Sequence, residues 1–223
     1  MSSQAVLRAM RAEDMSRIEE IVCRTWGYDV SMSARNAALL GKIDAYECLS
    51  RRTYMRVADV DGEVAGLIVA ADRRHPHIDR RMQLMQLGAV CGLLTSREGR
   101  QGLGMFRQYM AADKELSRDA ESQGRRYDGE LVLFIVDGQY RGHGLGRMLF
   151  DDAMRYFRDQ GIDDFFLYTD TGCDFGFYGH RGMTRRCARS VSFPMGDRIR
   201  TEEMYIYDDT VSHQMSDHGE DSR

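Results

Sequence analysis

The chain has 223 residues, 43% hydrophobic and 30% charged, enough to bury a substantial core within one domain. Its 31 Lys and Arg against 35 Asp and Glu leave a net charge of -4, a near-balance with no electrostatic footprint for nucleic acid as partner. No run of 18 or more apolar residues occurs, which excludes a helical membrane span, and the five cysteines, at 23, 48, 91, 173 and 187, form no CxxC pair, which argues against a disulfide framework or a zinc site.

The run QAVLRAM predicts a short first strand, and AEDMSRIEEIVCRTW a helix with Glu13 and Asp14 in its first turn, where acids suit the helix dipole. Ile18, Ile21 and Val22 make its apolar stripe. A second helical stretch covers SARNAALLGKIDAYECLSR. TYMRVADVDGEVAGLIVAA then reads as a hairpin turning at Asp61-Gly62, a pair suited to positive φ. Residues 72–127 predict a helical insertion between strands: RRMQLMQLGAVCGLL and GMFRQYMAADKELSRDAE are helical, and the glycine- and charge-rich TSREGRQG separates them. GELVLFIVD has apolar residues on both faces, as a buried central strand does.

A glycine-rich loop follows, Arg141-Gly142-His143-Gly144-Leu145-Gly146, and then an amphipathic helix on which Leu145, Leu149, Ala153 and Phe157 recur at i+4. DDFFLYTD is a further strand, CDFGFYGHRG a short helix or turn, and TRRCARSVSF and EEMYIYDD two late strands. The polar tail, 211–223, is expected to be disordered. There is no internal repeat. One domain over 1–210 follows. The opening residues lack an apolar signal core, and with free thiols this predicts a soluble cytoplasmic protein.

Strand, glycine loop and helix start together make an anion site: successive N–H groups point into one concavity and the helix dipole adds to them. Gly142 and Gly144 let a phosphate approach the main chain, Gly146 lets the first helical turn pack close, and Arg141 adds charge at the rim. A phosphate or pyrophosphate ligand is expected. The residues Gly146-Arg147-Met148 exclude a P-loop, and GxGxG at this late position is not a dinucleotide fingerprint.

The spacing Arg-x-x-Gly-x-Gly over 141–146 resembles the acyl-CoA pyrophosphate loop of the GNAT superfamily of N-acyltransferases. GFYGHRGM, with Tyr178, Gly182 and Met183, is similar to that family's FY-x-x-x-G-F segment, although Thr171 and Asp174 stand where relatives often carry Asn and Ala. The opening AVLRAMRAEDMSRIEEI and the DG hairpin also resemble the family. The likeness covers about 1–71 and 128–208 and carries nothing onto 72–127.

It implies an α+β fold: a mixed, mostly antiparallel central sheet flanked by helices, with the helical insertion between strands 3 and 4. It also implies an N-acetyltransferase that moves an acetyl group from acetyl-CoA to a primary amine of a small molecule or peptide by direct attack, without a metal. Cofactor contacts are then expected from Arg141, Gly142, His143, Gly144, Leu145, Gly146 and Arg147, and from backbone N–H groups near Ile135 and Val136 facing the thioester oxygen. Tyr178 is the expected general acid. Glu130 or Asp128, at the start of the central strand, is the expected base unless water serves. Trp26 and Tyr28 are expected to line the acceptor pocket, and 72–127 to form an acceptor lid or a homodimer face. A non-catalytic acyl-CoA-binding module on the same fold is the alternative. His75 and His77 have no partner at metal-binding spacing, and Cys173 is read as a buried free thiol rather than a nucleophile.

Overall fold

The computed structural model describes residues 5–195 and 198–216. Seven strands form one sheet: β1 (Ala5–Arg8), β2 (Tyr54–Val60), β3 (Glu63–Asp72), β4 (Gly129–Val136), β5 (Asp164–Asp170), β6 (Thr184–Met195) and β7 (Arg198–Thr210), in the order β1-β2-β3-β4-β5-β7-β6. Every adjacent pair is antiparallel except β4 and β5. The β2–β3 turn places Asp61 at φ 53° and Gly62 at φ 91°, as the Asp-Gly pair predicts.

Helices α1 (Met15–Thr25), α2 (Tyr28–Ser31) and α3 (Ala34–Ser50) precede β2; α4 (Arg80–Leu94) and α5 (Arg97–Ser122) lie between β3 and β4; α6 (Leu145–Asp159) joins β4 to β5; α7 (Gly176–His180) precedes β6; and α8 (Val211–Ser216) comes after β7. The mixed sheet is as the resemblance implies, and the helical insertion between the third and fourth strands is as the sequence predicts.

Two helical layers enclose the sheet. On one face, Ile18, Ile21 and Val22 of α1 and Leu49 of α3 pack on Val57, Leu67, Val69, Leu133 and Ile135. On the other, the α6 stripe of Leu145, Leu149, Ala153 and Phe157 is buried against Ile68, Leu131 and Phe165.

The long α5 spans both halves of the molecule. Phe106, near its start, joins Leu40 of α3 and Leu93 of α4, while Leu116 and Ala120 cover Phe166 of β5 and Ile206 of β7. It therefore bridges the sheet over the place where β4 and β5 meet.

Those two strands pair only through Gly129, Glu130 and Leu131 opposite Phe165, Phe166 and Leu167. The β3–β4 register shifts there, with Val69 opposite Leu133 but Ala70 opposite Leu131, so Val132 is an extra residue. Such a bulge bends its strand and re-aims the side chains beyond it. It explains why Leu131 packs with α6 whereas Leu133 packs with α1 and α3, although residues two apart in a regular strand share a face. Past the bulge β4 and β5 diverge and leave a cleft.

Two expectations need correction. Residues 211–216 are not a disordered tail: they form α8, with Val211 and Gln214 buried and Gln214 donating to the Arg181 carbonyl at 2.7 Å. Residues 217–223 lie outside the described part. The TSREGRQG separator is also shorter than expected: only Thr95 and Ser96 stand between α4 and α5. Ser96 caps α5 by accepting from the Gly99 N–H at 2.9 Å, and the helix begins at Arg97, because a good cap offsets the low helix propensity of the glycines after it. Ser96→Ala should therefore cost about 1 kcal/mol, measured as a lower urea midpoint at unchanged m-value; an unmoved midpoint would place the helix start elsewhere. Among the described residues no helix is long and apolar enough to cross a membrane.

Candidate active-site cleft

The β4 exit is fixed before the loop begins. The Asp137 N–H donates to the Ala65 carbonyl at 2.9 Å, and its buried carboxylate accepts from Arg17 at 2.7 Å and Arg24 at 3.2 Å. The chain then makes one 3₁₀ turn, Gly138–Tyr140, and enters the loop.

Gly142 at φ 80° and Gly144 at φ 75° are both left-handed, a conformation costing other residues about 1–2 kcal/mol. A Cβ on either would meet no atom within 4 Å. Backbone angle, and not crowding within the protein, therefore calls for glycine there. Gly146 differs from expectation: a Cβ there would stand 3.5 Å from Phe134 and 3.7 Å from Phe177, ordinary contacts, so close helix packing does not require it.

Gly144 is the N-cap of α6 and provides no side-chain cap. The Met148 N–H donates to the Gly144 carbonyl at 3.0 Å and makes the first helical bond, so the N–H groups of Leu145, Gly146 and Arg147 precede the helix's own ladder. The first turn holds no carboxylate and instead carries Arg147, a charge the helix dipole disfavours there and a bound anion would favour. Arg141 reaches the Val136 carbonyl at 3.4 Å, and His143 rests its Nδ1 2.9 Å from the Arg141 carbonyl.

Loop and helix start open into a cavity of about 450 Å³ that runs between the diverging strands to a chamber under α3 and α5. Strand alternation assigns its main-chain donors. Asp137 turns its N–H to β3, so Ile135 does the same, while Phe134 and Val136 turn theirs toward the gap. Of the two expected donors, Val136 faces the cleft and Ile135 does not. Phe134 was not foreseen, because the gap itself depends on the bulge.

Tyr178 lines the cavity from α7, 8% exposed, with Phe177 and Tyr207 around its ring. Burial, then the nearby Cys173, Asp174 and Asp170, raises its phenol well above the ordinary tyrosine range, so it holds its proton. Cys173 borders the same cavity, and burial pushes its thiol up to about 12; it is no thiolate nucleophile at neutral pH.

Glu130, the expected base, is not a free carboxylate. The residue is 4% exposed, and both carboxylate oxygens accept from Arg51 Nη1 at 2.8 Å. Both oxygens are thus already engaged by one guanidinium nitrogen. Asp128 engages through its main chain, its carbonyl accepting from the Arg73 N–H at 2.8 Å.

Trp26 and Tyr28 do border the chamber, and the Tyr28 hydroxyl donates to Asp44 at 3.1 Å. The chamber also holds a residue missed from sequence, Asp113 of α5. Its signal was present: Phe106, Met110, Asp113, Leu116 and Ala120 run along one helix face, a carboxylate within an otherwise apolar stripe. Among the described residues no group of three or more His, Cys, Asp or Glu is arranged to hold a metal ion.

The Acetyltransferase (GNAT) family model matches residues 15–176. Solved structures share the fold at low identity. PaiA N-acetyltransferase from Thermoplasma acidophilum, in complex with coenzyme A, is 13% identical with a TM-score of 0.51, over 93% of this chain and 99% of that one. The smu.2055 protein of Streptococcus mutans UA159 is 11% identical with a TM-score of 0.53, over 92% and 99%. A GNAT-family structure from Desulfovibrio desulfuricans is 13% identical with a TM-score of 0.52, over 93% and 99%. No match is found among curated proteins.

Proposed function

We propose that this chain, which belongs to the GNAT acetyltransferase family, transfers an acetyl group from acetyl-CoA to a primary amine by direct attack within a ternary complex. The observation that carries the proposal is the uncapped start of α6 opening into the cleft between β4 and β5.

Residues at both ends of the cleft suit the cofactor. The N–H groups of Leu145, Gly146 and Arg147, with the guanidinium groups of Arg141 and Arg147, would hold the diphosphate. The gap would take the pantetheine arm, which brings the acetyl group as a thioester. The N–H groups of Phe134 and Val136 would bind the carbonyl oxygen more strongly as it gains charge, an oxyanion contribution. Tyr178 would donate its phenolic proton to the departing sulfur and regain one from solvent, a general-acid role that requires the protonated phenol its burial preserves.

The test is CoA release from acetyl-CoA with a panel of primary amines, read by a thiol reagent and by product mass. At least one amine should give release well above the hydrolysis background. Tight CoA binding with no productive acceptor would contradict transferase activity and leave a binding module.

A further inference from the structure

The chamber is more acidic than binding of the cofactor and protonation of its sulfur require. Arg51 is shared between Glu130 at 2.8 Å and Glu47 at 3.4 Å. Asp44 and Asp113 line the same cavity, and neither has an ion pair among the described residues. The Oδ1 of Asp113 is buried with no hydrogen-bond partner. A buried carboxylate oxygen left unpaired is costly, and a cationic ligand offsets that cost.

At the outer opening, bases outnumber the one added acid, Glu121. The outer opening beside Asp113 carries Arg73, Lys114 and Arg118, so the chamber is not part of a generally acidic surface. Between the carboxylates, Trp26, Cys48, Phe106 and Met110 make apolar walls that suit methylene groups. The groups facing Asp113 are Asp44 and Glu47 from α3, Arg51 just past its end, Glu130 from β4, and Tyr168 and Asp170 from β5. Burial, then Glu130, raises its carboxyl to about 8, against the opposing pull of Arg51. Burial likewise raises Asp44 to about 7.

We propose that the acceptor is a short aliphatic diamine, its reacting ammonium held by Asp113 and its far ammonium by Asp44. This rests on the acetyl-transfer reading. Asp113 takes a proton from the bound ammonium: one N–H bond breaks, an O–H bond forms on the carboxylate, and the electron pair stays on nitrogen as the nucleophile. When the N–C bond forms, the C–S bond breaks and sulfur receives the Tyr178 proton; the attacking nitrogen then loses its second proton, which passes through solvent to restore the Tyr178 phenol and leaves a neutral amide. Asp113 returns its own proton to solvent.

The experiment compares 1,4-diaminobutane with 4-amino-1-butanol, which keeps the length and one ammonium but lacks the second charge. On the CoA-saturated protein, titration calorimetry should show the diamine binding at least about tenfold tighter, and acetylation should favour it by a similar ratio in kcat/KM. In Asp113→Asn the diamine should lose about tenfold in affinity while CoA affinity stays unchanged. The same variant should melt about 2–4 °C higher at pH 8.5, because it removes an uncompensated charge; this separates lost binding from lost folding. Equal binding and turnover of the two amines, with CoA bound normally, would overturn the diamine assignment and leave acetyl transfer intact. A diamine affinity untouched in Asp113→Asn would overturn the role of Asp113. Failure of the wild-type protein to bind CoA would overturn the acetyl-transfer reading and this assignment with it.

Discussion

Gly144→Glu should weaken CoA binding by about 100-fold, a loss of about 2.7 kcal/mol. Two effects act in the same direction. The left-handed φ of 75° strains any side chain by about 1–2 kcal/mol, and the added carboxylate brings like charge into the concavity where the proposal places phosphate. A Cβ at this position meets no protein atom within 4 Å, so the variant should fold, with only the strain lowering its stability. Calorimetric titration with CoA reads the affinity, and a urea melt reads the fold. An affinity unchanged in a folded variant would remove the glycine loop from the binding site. Gly142→Ala, without the added charge, should show a much smaller loss.

Tyr178→Phe should lower kcat by about 100-fold and leave the KM for acetyl-CoA nearly unchanged, the low end of the usual range for a general acid. The ring stays, and with it the packing against Phe177 and Tyr207; only the proton donor is lost. A kcat that falls without a matching change in KM marks a group acting in the transition state and not in cofactor binding. The two variants divide the cleft: Gly144→Glu should act on binding and Tyr178→Phe on turnover. A Tyr178→Phe enzyme with wild-type kcat would reduce this tyrosine to packing.

Much of this cleft was legible because its parts are local. The Asp61-Gly62 turn, the α6 stripe and the glycine loop are each specified within a few residues by φ preference or by periodicity. Features set by distant contacts were not legible. The extra residue at Val132 shows only when β4 is laid against β3, and with it goes the reversal of which residues face the gap. That is why Ile135 was expected as a donor and Phe134 was not. Glu130 reads as a free carboxylate at a strand start, yet Arg51, distant in sequence, neutralises it. Ser96 and Asp113 were overlooked for another reason. The family resemblance ended at the insertion, although a serine three residues before a glycine N–H and an acid on an apolar stripe were both in the sequence. Bulge, ion pair and α5 together turn a recognisable glycine loop into a cleft with an acidic far end, where the proposal places the acceptor.

The central claim concerns where the main chain grips an anion, and a crystal structure with CoA tests it most directly. The account predicts the diphosphate on the N–H groups at the start of α6, with the pantetheine arm passing between β4 and β5 toward Tyr178. Density for the diphosphate anywhere else on the protein, at saturating CoA, would contradict it.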